Sequence, residues 1–249
     1  MDLYNLNINP PVIAHRGASA YAPENTMAAF QKAKELGARW VEFDVMLTAC
    51  DEPVIIHDTT LDRTTNAKGE VNKFTNNVLQ TLDAGSWFGS QFTGEKIPTL
   101  KQLLSFLSEN SMSPNIEIKA VVGQEKAAVS NVLEVVANHW PAYLEPPLFS
   151  SFSMDILREI RKHSASARLG CLIDSLDAML WVELDGELNF TSFNLNHTIL
   201  SHQLVFDLKT LEKPILAYTV NDPQRAKELF SWGVDAVFTD CPDKILELI

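Results

Sequence analysis

An α/β chain closed as a (β/α)8 TIM barrel, with a small insertion after its second strand, is the fold the sequence predicts. Three observations lead there. Short apolar segments rich in β-branched and aromatic residues alternate with segments of helical periodicity along the chain, the pattern of βα units around a parallel sheet. Eight such strand segments are counted once the PVIIH run at Pro53 is set aside, and eight favours ring closure over an open sheet. The 249 residues, 46% hydrophobic and 21% charged, suit one barrel and supply a large core.

The elements follow in order. VIAH, from Val12, is the first strand. ENTMAAFQKAKELGA follows as a helix, with Met27, Ala28, Phe30, Ala33 and Leu36 at helical spacing and Gly37 as its stop. Pro23 and Glu24 read as first-turn residues, with Asn25 and Thr26 available for capping. WVEFDVML, from Trp40, is the second strand. PVIIH is separated from it only by the turn-like TACDEP, so the two are expected to form a hairpin above the barrel mouth that returns His57 towards Asp44. The polar stretch from DRTTNAKGEVNKFTNN to WFGSQFTGEKIPT is weakly periodic and reads as an insertion at about 60–98 within one domain, 1–249. Alternation then resumes: helix TLKQLLSFLSEN, strand NIEIK, helix QEKAAVSNVLEVVANHW, strand PLFSSF, helix MDILREIRKHS, strand ARLGCLI, helix SLDAMLWVELD and strand ELNFTSFN. A helix near HQLVFDLKTLE, strand PILAYTV, helix DPQRAKELFSWG, strand VDAVFTD and a closing helix PDKILELI complete the series.

In a parallel barrel the chemistry sits at the carboxyl ends of the strands. His15 and Arg16 end the first strand. Glu42 and Asp44 are two apart in the second, so both face one side while Val41, Phe43 and Val45 face the helices. Glu117 and Lys119 repeat that spacing at the end of NIEIK. Three inward carboxylates repel each other unless paired, and oxygen donors suit a hard divalent cation, Mg2+ or Ca2+. Arg16 offers a planar fork to a phosphate, Lys119 a second charge, and Gly17 allows a sharp turn or close approach. His15 and His57 complete an acid–base pair. A lone histidine at a strand end, or a lone ExD, is ordinarily a satisfied core residue or an ion pair; it is their convergence on one mouth that points to a phosphodiester. His139, His163, His197 and His202 read as structural.

The formal net charge of -12 lacks the basic footprint of a nucleic-acid binder and disfavours anionic membrane surfaces. Cys50, Cys171 and Cys241 form no CxxC and suggest no disulfide framework, so a reducing compartment is expected. The amino terminus has no signal-peptide pattern and no long apolar run occurs, so a cytoplasmic chain without stable membrane association is expected. Oligomeric state is left open, a homo-oligomer being compatible with the sequence.

AHRGASAYAPENT, VEFDV, PVIIHDTTLDRTT, WFGSQFTGEKIPTL, NIEIK, YTVN and GVDAVFTDCP span nearly the whole chain. In that order they resemble the glycerophosphodiester phosphodiesterases, the GDPD family, of bacterial cytoplasmic type. The resemblance implies that His15 and His57 are the catalytic acid–base pair, that Glu42, Asp44 and Glu117 hold one divalent cation, and that Arg16 and Lys119 contact the phosphate. It also implies hydrolysis of a small-molecule glycerophosphodiester to an alcohol and sn-glycerol 3-phosphate. One position departs from the family pattern: Tyr218, in YTVN, stands where the family usually has tryptophan, and is taken as a substrate-binding residue that bears on the fit around the glycerol. Trp87, Phe88 and Phe152 are further candidate walls. Two other readings compete. The same barrel acting on lysophospholipids or phosphoinositides would need an apolar entry surface or docking segment, and none stands out. A non-catalytic sensor of glycerol phosphates would be expected to have lost a catalytic group, and none is missing.

Overall fold

The computed structural model describes residues 6–175 and 185–249. Its strands are β1 (Val12–His15), β2 (Trp40–Leu47), β3 (Pro53–Ile55), β4 (Ser113–Ile118), β5 (Leu148–Ser151), β6 (Arg168–Ile173), β7 (Ser192–Asn196), β8 (Ile215–Tyr218) and β9 (Ala236–Thr239). All but β3 run parallel, in the order β1-β9-β8-β7-β6-β5-β4-β2, and the pairing of β1 with β2 closes the ring. The (β/α)8 barrel expected from the alternation is therefore the observed fold. β3 lies antiparallel against the upper end of β2, with Val45 opposite Ile55 and Leu47 opposite Pro53. This is the expected hairpin, and the Ile56 N–H donates to the Asp44 carbonyl at 3.1 Å, directly before His57.

The helices are α1 (Met27–Glu35), α2 (Asn76–Leu79), α3 (Leu100–Glu109), α4 (Glu125–His139), α5 (Met154–His163), α6 (His202–Lys209), α7 (Pro223–Trp232) and α8 (Pro242–Leu246). α3 shows why such segments form. Leu100, Leu103, Leu104 and Leu107 make one buried stripe, and Thr99 with Gln102 forms a reciprocal capping box at its start. Strand residues facing outwards, such as Val41, Phe43, Val45, Ile116 and Ile118, join these helical stripes in the main core. A second cluster, Ile13, Trp40, Leu148, Leu216, Ala236 and Phe238, fills the barrel itself. Within 60–98, Leu61, Val71, Leu79, Ala84 and Ile97 pack with Met46, Val54 and Ile56 of the hairpin as a small core of their own.

Two boundaries differ from the sequence reading. α1 starts at Met27, capped by Thr26, so Pro23 and Glu24 lie in the preceding loop. The reason is Asn25, whose φ of 58° cannot continue a right-handed helix. The strand expected at 187–194 begins at Ser192, and 185–188 is helical. There the Asp185 side chain accepts from the Phe190 N–H at 2.8 Å and Asn189 turns the chain at φ 51°, which delays the strand. The helix expected from SLDAMLWVELD lies almost entirely outside the described residues.

Gly17 has a definite reason to be glycine. Its φ is +81°, and a Cβ there would meet the Ala29 carbonyl carbon at 2.6 Å. The loop after β1 thus lies flat against α1, with the Ala18 N–H donating to the Ala29 carbonyl at 2.9 Å. Gly17→Ala combines backbone strain with a clash against main chain. It is expected to destabilise the fold by about 2 kcal/mol or more, measurable by urea denaturation; an unchanged midpoint would contradict this close approach.

Candidate active site

A cavity of about 310 Å3 opens at the carboxyl ends of the strands. Its lining includes His15, Arg16, Glu42, His57, Glu117, Lys119 and Tyr218, together with Asn115, Ser150 and Phe152. The alternation of β2 turns Glu42 and Asp44 inward, and parallel register sets Asp44 beside Glu117 of β4. Glu42, Asp44 and Glu117 each present a carboxylate oxygen within 4.8 Å of the others. Glu42 and Asp44 are buried.

The cations are interleaved with this cluster. Lys119 Nζ lies 3.2 Å from Asp44 Oδ1 and 3.4 Å from Glu117 Oε1. Arg16 Nε lies 3.4 Å from Asp44 Oδ2, and its main-chain N–H donates to Glu42 Oε2 at 3.0 Å. That last bond needs the unusual turn at the end of β1, where Arg16 itself has a φ of 56°. Such left-handed geometry in a long side chain marks a site whose surroundings hold it in place.

Charge is unevenly spread. Burial, then the neighbouring Asp44 and Glu117 carboxylates, pushes Glu42 well above the usual carboxylate range. Burial and Asp44 raise Glu117 to about 7. Burial acts in the same sense on Asp44, but Lys119, Arg16 and His57 outweigh it and hold that group at about 2. Glu42 Oε1 is a buried oxygen without a hydrogen-bond partner, and Asp44 Oδ1 is met only by the Lys119 ammonium. Three crowded carboxylates, one with a bare buried oxygen and two with raised pKa values, are a donor set suited to a divalent cation.

Each histidine is held by an aspartate. His15 Nδ1 lies 2.7 Å from Asp240 Oδ1. Asp240 is itself fixed by the Ser19 hydroxyl at 2.9 Å and the Asn221 amide at 2.6 Å. His57 Nδ1 lies 2.7 Å from Asp58 Oδ1. Both bonds engage Nδ1 and leave Nε2 as the other ring nitrogen; that of His15 lies 3.9 Å from Glu42 Oε2. Burial lowers the pKa of His57, against the pull of Asp44, and Arg16 and Lys119 act in the same direction as burial.

Asp240, Asp58, Ser19, Asn221 and Arg63 all lie within the motifs quoted above, but nothing in their spacing marks them as partners of the site residues. Asn25, read as an available cap, instead donates its amide to Asp44 Oδ2 at 2.8 Å. Tyr218 lines the cavity with its ring packed edge-on against Phe152, centroids 6.0 Å apart, while its hydroxyl donates to the Ile173 carbonyl at 2.8 Å. Trp87 and Phe88, candidate walls from the sequence, are not among the lining residues. They pack on each other in the insertion, with the Trp87 indole N–H on the Ala84 carbonyl. A larger cavity of about 780 Å3 is lined by Leu133, Phe149 and Arg168 among others. It lies by the amino-terminal ends of β5 and β6, away from the strand ends that carry chemistry in a parallel barrel.

The sequence profile of the Glycerophosphoryl diester phosphodiesterase family matches residues 15–244. The chain belongs to this family. It is therefore an enzyme, a phosphoric diester hydrolase, as the motifs suggested. A glycerophosphodiester phosphodiesterase of Caldanaerobacter subterraneus is 33% identical over 240 residues, covering 96% of this chain and 97% of that protein. The structure of an Oleispira antarctica phosphodiesterase in complex with the product sn-glycerol-3-phosphate superposes with a TM-score of 0.92 at 38% identity, covering 96% of each chain. A glycerophosphodiester phosphodiesterase from Thermotoga maritima gives a TM-score of 0.76 at 30% identity, covering 96% of this chain and 98% of that one. Among the described residues, no helix is long and apolar enough to cross a membrane.

Proposed function

We propose that this phosphodiesterase hydrolyses glycerophosphodiesters to an alcohol and sn-glycerol 3-phosphate, with His15 and His57 as general acid and base. One divalent cation, Mg2+ or Ca2+, would be held by Glu42, Asp44 and Glu117. The observation that carries the reading is the meeting, at one cavity, of two histidines each backed by an aspartate and three carboxylates within 4.8 Å of one another. The product complex of the Oleispira antarctica relative supports the choice of substrate class.

The chemistry follows from the residues. When bound, the cation supplies Lewis acidity and a template for phosphoryl oxygens. Arg16 and Lys119 bind the phosphate and offset its charge in an otherwise acidic chain. One histidine takes a proton from the attacking oxygen, which belongs to water or to the glycerol hydroxyl next to the phosphate. The other gives a proton to the departing alkoxide. An aspartate on Nδ1 holds each ring in one tautomer and steadies the imidazolium that forms. Tyr218 and Phe152 supply an aromatic wall for the carbon face of the glycerol. The working unit is 1–249 with the insertion at about 60–98 included, acting in the cytoplasm on small molecules without a nucleic-acid or stable membrane partner.

The test is release of sn-glycerol 3-phosphate from glycerophosphocholine by protein stripped with EDTA and resupplied with either ion. Release is expected to vanish on stripping and to return with Mg2+ or Ca2+. Release that survives stripping would remove the cation from the reading. No release with either ion would remove the substrate class.

A further inference from the structure

We propose that Arg63, carried by the insertion, is a positioning residue that holds His57 for turnover through Asp58 and ties it to the Arg16 side of the cavity through Glu24. The guanidinium is used on two edges. Nε and NH2 donate to Asp58 Oδ2 and Oδ1 at 2.7 and 3.0 Å. NH1 and NH2 donate to Glu24 Oε2 and Oε1 at 2.7 and 2.8 Å. Asp58 in turn holds His57 Nδ1, and Glu24 accepts from Arg16 NH1 at 2.8 Å. A continuous chain of charged hydrogen bonds thus runs from one candidate catalytic histidine to the candidate phosphate-binding arginine.

An exposed ion pair ordinarily contributes little. This one differs in three respects. It is bidentate to two carboxylates at once, a geometry only the planar guanidinium provides. Its anionic partners are sheltered, Glu24 being 13% and Asp58 26% exposed in their side chains. Its backbone is anchored, because Leu61 and Thr64 on either side are buried and Leu61 belongs to the insertion's own core. The loop after β1 and the insertion, 39 residues apart in sequence at Glu24 and Arg63, are joined at the site by this side chain. It accounts for Glu24 of APENT and Arg63 of TLDRTT, which phosphate binding and proton transfer leave without a role.

The proposal rests on the acid–base reading of His57, and the test separates the two. Full-length, cation-loaded Arg63→Gln, His57→Asn and wild-type enzymes are compared for kcat and KM on glycerophosphocholine. The imidazole N–H resonance of His57 is followed by NMR in the Arg63→Gln and wild-type proteins. Arg63→Gln is expected to lower kcat about 10- to 100-fold, by analogy with the loss of outer partners that orient metal-site histidines, with a smaller change in KM and a displaced or lost His57 resonance. Wild-type kcat in Arg63→Gln overturns the proposal, and so does a lowered kcat with an unmoved resonance. An active His57→Asn overturns the acid–base reading itself, whatever Arg63→Gln does. If Arg63→Gln does not fold, Glu24→Gln, which removes the anchor of the fork, is expected to give the same pair of changes to a lesser degree; an unchanged kcat and resonance there overturn the proposal.

Discussion

His57→Asn is expected to lower kcat about 100- to 10,000-fold, the range for loss of a positioned general acid or base, while cation binding followed by calorimetry stays within a few-fold of wild type. The geometry sets both halves of this expectation. His57 lies at the end of the hairpin, pinned by Asp58 at 2.7 Å, and it is not one of the three clustered carboxylates. Its pKa is lowered by burial, which favours the neutral ring. His15→Asn is expected to cost a similar factor, because Asp240 holds that ring in the equivalent way. A His57→Asn enzyme with near wild-type kcat would end the two-histidine reading. Loss of cation binding would instead move His57 into the metal site.

The second large effect is in pH. Glu117 is raised to about 7 and Glu42 is raised well above the usual carboxylate range, so the cation-free site retains protons that a divalent ion must displace. Cation affinity is therefore expected to climb as pH rises from about 5 to about 7, by roughly tenfold per unit for each proton displaced. It should flatten for Glu117 above that. The sign for stability runs the other way in EDTA. A carboxyl whose folded pKa exceeds its unfolded value favours the folded state at low pH, and that contribution is lost as pH rises towards 7. The difference in Tm with and without cation should consequently widen across this window. A gap that does not vary with pH would show that the cation does not replace protons on these groups, and Glu117→Gln should make the gap less steep.

Much of the site was legible because strands alternate. A period of two puts Glu42 with Asp44, and Glu117 with Lys119, on one face, and Val41, Phe43 and Val45 on the other, whatever the rest of the chain does. The short TACDEP turn likewise carried His57 back to Asp44, since a hairpin that tight leaves little choice of register. Where the reading went astray, the cause was a backbone conformation that composition does not announce. Asn25 in the left-handed region ends the loop one turn later than Pro23 and Glu24 suggest, and so frees Glu24 to face Arg16 and Arg63. Trp87 and Phe88 carry an aromatic signal without direction, and they pack on each other in the insertion.

Fold class, strand faces and the set of acidic, basic and imidazole groups at the mouth are written in the local pattern, because hydrophobic period and strand-end position are local properties. The distant partners depend on how the chain packs. Asp240 reaches His15 across 225 residues only because β9 pairs with β1 to close the ring. Arg63 meets Glu24, 39 residues earlier, only because the insertion's small core presents it there. Partners so far apart in the chain are selected by sheet register and packing, which no local pattern encodes.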